Sequence, residues 1–179
     1  IFSTSVSEAL DKFNKADNIA DYFSGILLLN QSKYDESYKF LKRLNGLEKT
    51  HINFSSKYLY SMINSGNFKK AYNYSKKLEK EKKNSFESDF IMAIYYLKNS
   101  EYKLSNKYFF KSKSKSSLNI LDGYIADSLY VWSNFNNQEL DKAKSSLEKL
   151  DSRFENLKKL QNVFLHCFFK SDKTELLFD

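Results

Sequence analysis

Ser65-Gly66-Asn67-Phe68-Lys69-Lys70-Ala71 joins two stretches of helical hydrophobic periodicity, and its pattern returns on either side. Upstream it reads Ser32-Lys33-Tyr34-Asp35-Glu36-Ser37 and downstream Ser100-Glu101-Tyr102-Lys103-Leu104-Ser105, so an aromatic falls at positions 34, 68 and 102, evenly spaced. A fixed period of about 20 to 50 residues marks a solenoid, because one supersecondary unit cannot bury its apolar face alone. Each unit here reads as a helical hairpin. Aligned on the aromatic, Gly25, Leu59 and Ala93 coincide, as do Leu28, Met62 and Tyr96, and Ser37, Ala71 and Ser105. Small residues in the last set let the paired helices approach, while the larger ones fill the space between hairpins.

Outward from that turn, the copies span about 18–48, 52–83, 85–111 and 118–150, with an incomplete fifth at 153–179. The first helix of the first copy, about 18–30, presents Ile19, Tyr22, Phe23, Ile26, Leu27 and Leu29 at helical spacing. Gly25 lies inside that face, and since a mid-helix glycine costs about 1 kcal/mol against alanine, it predicts a close helix approach. Asn45-Gly46 suits a left-handed cap after the second helix. The period breaks at Lys111-Ser112-Lys113-Ser114-Lys115-Ser116-Ser117, after which the equivalent of Tyr102 is Leu140, a longer interval than those before it. That Ser/Lys stretch reads as a lengthened loop between hairpins. In the fifth copy Lys173-Thr174-Glu175-Leu176-Leu177 falls where a second helix would begin. A solenoid end requires a polar cap, so this ending is expected to continue in a longer parent. Residues 1–17 form a separate segment with two open readings. Ser7-Glu8-Ala9 has the spacing of a signal-peptidase site, and Ser5 or Ser7 equally caps a short helix from about Glu8 to Lys15.

Composition agrees with a helical array: no Pro, four Gly and 41% hydrophobic residues, with aromatics too plentiful for a disordered chain. The single Cys167 excludes an internal disulfide framework. The net charge of +7 comes almost wholly from Lys, with Arg43 and Arg153 the only arginines. Specific nucleic-acid recognition leans on the bidentate guanidinium, so it is disfavoured. Many lysines alternate with acids, as in Lys76-Lys77-Leu78-Glu79-Lys80-Glu81, the pattern of a salt-bridged solvated face. No run of 18 apolar residues exists to span a membrane. The Ser/Lys loop supports a second functional reading, contact with anionic membrane surfaces at about 1 kcal/mol per Lys.

Nothing in the chain carries catalytic chemistry. His51 and His166 are far apart in sequence, so no metal-binding helical pair exists, and His166 and Cys167 are adjacent, which points them about 100° apart on a helix. A nucleophile and its base must instead face each other. The four glycines are scattered and form no phosphate loop. No enzyme activity, cofactor or metal is expected.

The small residue in the first helix, the aromatic three positions before a small residue in the second, and the constant period of about 34 residues together resemble the tetratricopeptide family over about 19–150. The terminal Pro and early Trp of that family's repeat are missing here. Ala20-Asp21-Tyr22-Phe23-Ser24-Gly25, Ser65-Gly66-Asn67-Phe68 and Leu129-Tyr130-Val131-Trp132 are similar to an alphaproteobacterial group of secreted tetratricopeptide proteins. The resemblance implies an all-α, right-handed superhelix of antiparallel hairpins and a bacterial periplasmic or envelope-associated scaffold, with the cytoplasm as the alternative compartment. It also implies a concave surface lined by the first helices, where a protein or peptide partner binds. Matched through the copies, that surface takes Tyr22, Ile26, Leu29 and Asn30, then Ser56, Tyr60, Ile63 and Asn64. The third copy adds Phe90, Ile94, Leu97 and Lys98, and the fourth Ser128, Trp132, Phe135 and Asn136. Trp132 stands out, because tryptophan is enriched in binding hot spots. Members that clamp a carboxylate hold Lys and Asn where this chain has Tyr22 and Ile26, so that activity is disfavoured.

Overall fold

Turn chemistry and apolar spacing build nine α-helices among the described residues and no strand, so the fold is all-α. The computed structural model describes residues 16–51, 53–115, 120–135 and 140–177. The N-terminal cues at 1–15, Asn136, Ser116, Ser117 and the expected helix starts at Leu118 and Gln138 lie outside them. The helices are α1 (Ala16–Asn30), α2 (Tyr34–Arg43), α3 (Phe54–Asn64), α4 (Phe68–Lys80), α5 (Phe86–Lys98), α6 (Tyr102–Lys113), α7 (Ile120–Ser133), α8 (Leu140–Glu148) and α9 (Glu155–Phe168). They fall into two compact units that divide between Lys83 and Asn84. The segment expected to begin a tenth helix is instead a short 3₁₀ turn, Glu175–Leu177.

In the first unit α1 pairs with α2 and α3 with α4, and α2 also packs on α3. The hairpin turns share one backbone solution. Ser32, Gly66 and Ser100 all have positive φ, at 58°, 73° and 60°, one at the same place in each of the first three copies. Each follows a helix whose orphan carbonyls are capped by the same Schellman pair of bonds. Asn67 N–H donates to Met62 O at 2.8 Å and Gly66 N–H to Ile63 O at 3.0 Å. Lys33 N–H to Leu28 O and Glu101 N–H to Tyr96 O, both 2.9 Å, repeat the longer bond. No atom lies within 4 Å of a Cβ added at Gly66, so backbone strain alone sets the cost of a side chain there. Gly66→Val is therefore expected to lose about 1–2 kcal/mol, while Ser100→Gly, which relieves the same conformation, gains about 0.5 kcal/mol. Paired thermal melts with the two changes moving in the same direction would refute this reading.

Interhelical approach follows the small residues. Ser37, Ala71, Ser105 and Ala143 are completely buried. The serines do more than leave room: Ser37 Oγ donates to Gly25 O at 2.8 Å across the α1/α2 pair, and Ser105 Oγ to Ala93 O at 3.0 Å across α5/α6. Leu28 and Tyr96, expected among the fully packed positions, are only half-buried, whereas Met62 is buried. Aromatic rings fill the first unit's core, with Tyr58 stacked on Phe54 at 5.5 Å and edge-on to Tyr74 at 5.1 Å.

In the second unit α5 pairs with α6, α6 packs on α7, and α7, α8 and α9 enclose Tyr124, Phe135, Ala143, Leu147, Leu150 and Leu165. Ser85 opens α5 with a reciprocal capping box, accepting from Ser88 N–H at 3.3 Å while Ser88 Oγ accepts from Ser85 N–H at 2.8 Å. The cation–π pair of Lys77 over Tyr74 in the first unit, at 5.7 Å, has its counterpart one copy further on in Lys111 over Tyr108 at 4.8 Å.

Candidate partner-binding surface

The tetratricopeptide resemblance implies that the first helix of each copy offers one stripe to a partner, and the structure sorts those residues into three groups. Tyr60 is 52% exposed, and Asn30, Asn64 and Lys98 are also exposed. Tyr22, Ile26, Ser56, Ile63, Phe90, Ile94, Leu97 and Trp132 are half-buried. Leu29, Ser128 and Phe135 are buried. Phe135, at 2% exposure, is a core residue of the second unit and not a contact for a partner, since α9 and Phe169 take up its ring.

Local geometry explains the accessible members. Tyr60 meets Tyr34 edge-on at 5.9 Å, and Asn64 turns its amide back to Tyr60 O at 2.9 Å. Tyr22 packs against His51 at 4.9 Å and Phe23 at 5.9 Å. Phe90 stacks on Phe86 at 5.5 Å and stands edge-on to Phe109 at 5.8 Å. Trp132 does not stand free as a hot spot would. Its indole N–H donates to Gln161 Oε1 at 3.0 Å, and its ring lies 4.7 Å from Phe135 and 6.4 Å from Phe168.

Sequence spacing gives 153–169 the pattern of a fifth first helix but assigns no surface positions to it, and the structure supplies them on α9. Lys170 has φ 51°, and Ser171 N–H donates to His166 O at 2.9 Å, the same Schellman closure seen after Gly66. Counting back from that mark gives Leu160, Phe164, Cys167 and Phe168 the places held in the second copy by Ser56, Tyr60, Ile63 and Asn64. All four are exposed, which makes α9 the most apolar of the matched stripes. The signal was present in the sequence as Phe164 and Phe168 at helical spacing, but the irregular interval after Lys111 hid the register.

The charged groups with the most unusual surroundings are structural ties. Glu48 is wholly buried and takes Lys77 Nζ at 2.5 Å, Gly46 N–H at 2.7 Å and Tyr74 O–H at 3.3 Å. Burial pushes its carboxyl up, yet Lys77 and the Gly46 N–H outweigh that and hold it below the ordinary carboxylate value. Burial and the nearby Glu48 charge hold the Tyr58 and Tyr74 hydroxyls above the usual phenol range. In the second unit Asp89 is equally buried, accepting from Asn84 Nδ2 at 2.8 Å and paired with Lys115.

These ties bear on the Ser/Lys stretch, which was expected as a loop but completes α6 through Lys113 with Ser112 buried, leaving Ser114 and Lys115 in a turn. Lys115 is committed to Asp89, Lys113 to Asp127 at 2.8 Å, and Lys111 lies over Tyr108, so each lysine of 111–115 already has a partner inside its unit. His166 is buried with Nδ1 3.0 Å from Ser171 Oγ, while its neighbour Cys167 is exposed, so the two diverge. Among the described residues no group of three His, Cys, Asp or Glu side chains is placed to hold a metal ion, and no helix is long and apolar enough to cross a membrane. Comparison with protein-family models, with curated proteins and with solved structures returns no match.

Proposed function

We propose that the chain is a non-catalytic scaffold that binds a peptide or helix of a protein partner along the outward stripes of its first-type helices. The hairpins would continue a tetratricopeptide-like, right-handed superhelix whose concave side those stripes line, in the periplasm or at the cell envelope. The observation that carries the reading is that most register-matched positions of α1, α3, α5 and α9 stay half-buried or exposed and are mostly apolar or aromatic, with Tyr60 and Phe164 exposed at one and the same place. A folded monomer gains nothing from keeping such rings in water, and exposed apolar surface of this kind marks an interaction site. Polar Asn64 and Lys98 at the ends of the stripes would fix register by hydrogen bonding, the usual division between apolar contact and polar rim.

Affinity selection from a peptide library tests the reading. Peptides captured by the protein should bind with little salt dependence, because apolar burial is not screened, and Tyr60→Ala should weaken binding at least tenfold without lowering the melting temperature. Trp132→Ala should act mainly on stability, through the lost Gln161 bond and the Phe135 and Phe168 contacts. Binding only to acidic vesicles, abolished by salt, would overturn the proposal in favour of the anionic-surface reading.

A further inference from the structure

We infer that the chain associates head to tail with a second copy, the apolar face of α1 on one molecule packing against the face of α9 on the next. The inference goes beyond peptide binding and does not depend on it. Its basis is a contact that the second unit already makes. There α7 and α9 lie side by side through Gln161, which donates to Tyr124 Oη at 2.7 Å and Ser128 Oγ at 3.2 Å and accepts from the Trp132 indole at 3.0 Å. One turn further along α9, Leu165 is completely buried in the same core.

The repeat register says what each end of this arrangement should meet. Leu165 and Leu27 stand at the same place relative to their positive-φ turn residues, Lys170 and Ser32, and so do Gln161 and Phe23 one turn earlier. Yet Leu27 is 58% exposed and Phe23 66%, so α1 shows to solvent the face that α9 buries. The other half of the contact is open too. Trp132 in α7 and Phe164 in α9 each stand at the place of Tyr60, and Ser128 and Leu160 each at the place of Ser56. Leu160 and Phe164 are 47% and 49% exposed.

The chemistry of the two open faces matches. Where the internal contact is polar on both sides, Gln161 against two hydroxyls and an indole N–H, the open faces are apolar on both sides, Phe23 against Leu160 and Phe164. The Phe23 ring could not satisfy the polar side chains of α7, and Gln161 would be stranded on the apolar face of α9. The substitution is paired, which favours a second copy of this chain over an unrelated partner. Because the faces differ, the contact is heterologous, each molecule offering one face to each of two neighbours.

Sedimentation velocity on the whole chain and two variants tests this. The wild type should associate with rising concentration into dimers and longer species. Phe23→Asp and Phe164→Asp should each stay monomeric, because each loses one face. Mixed in equal amounts, they should form a one-to-one dimer through the two intact faces and nothing larger. Both positions are at the surface, so both variants should keep the wild-type circular dichroism and melting temperature. A wild type monomeric at all concentrations would overturn the inference, as would association lost in only one variant or a mixture that stays monomeric. So would a marked fall in melting temperature for Phe23→Asp, which would place the cover of α1 within its own chain. Phe164 belongs to both surfaces but Phe23 lies outside the peptide stripe, so Phe23→Asp losing association while keeping peptide capture, with Tyr60→Ala doing the reverse, separates this inference from the proposed function.

Discussion

Lys115→Met is expected to cost the second unit about 3 kcal/mol, because removing one member of a buried ion pair leaves the other charge uncompensated. The Asp89 carboxylate has no solvent exposure, and Lys115 is its cationic partner, with Asn84 supplying neutral amide bonds at 2.8 and 3.1 Å. Those amide bonds place the loss at the lower end of the range for broken buried pairs. Asp89→Asn should cost less than half as much, since it removes the charge along with its need for a counter-ion and leaves a Lys115 that reaches water. Urea unfolding of the two variants measures the difference. A Lys115→Met protein within about 1 kcal/mol of the wild type would show that water solvates Asp89.

Gly25→Val should be nearly as damaging, with a loss of about 2–3 kcal/mol. A Cβ at Gly25 would sit 2.6 Å from Leu41 Cδ2 and 2.8 Å from Leu41 Cγ, and Leu41 is completely buried, so it yields only by disturbing a packed core. Moving α1 away instead would stretch the Ser37 hydroxyl bond to Gly25 O. The clash is specific, so Leu41→Ala should recover part of it. Leu41→Ala alone costs about 2–5 kcal/mol, and the double variant should fall short of the summed losses by about 1 kcal/mol or more. Strict additivity in chemical denaturation would locate the strain elsewhere.

These two positions show how unevenly the sequence reveals its structure. Gly25 could be read in advance, because a glycine inside an apolar helical face has few uses other than close packing. Asp89 and Glu48 could not. Their lysines lie far along the chain, and nothing in a sequence with so many solvated lysines distinguishes the two that cross to a buried carboxylate. The same limit applies to the partner surface. The proposed stripe was placed by matching the copies to the tetratricopeptide pattern, and of its residues Tyr60, Asn30, Asn64 and Lys98 are exposed. Phe135 and Ser128 share that spacing and are covered, because α9 happens to pack there.

By itself the sequence determined the all-helical hairpins, the even spacing of the first three, the helix-to-helix turn at Gly66 and the small residues where paired helices touch. All of these are set by neighbours within a few turns of chain, through backbone dihedral preference and apolar periodicity. Tertiary structure alone decided which lysines became counter-ions, which of the matched stripe positions disappeared into the core, and that the matched positions of α9 are exposed. Those outcomes depend on distances between segments far apart in the chain and on which groups lose water, neither of which local periodicity encodes.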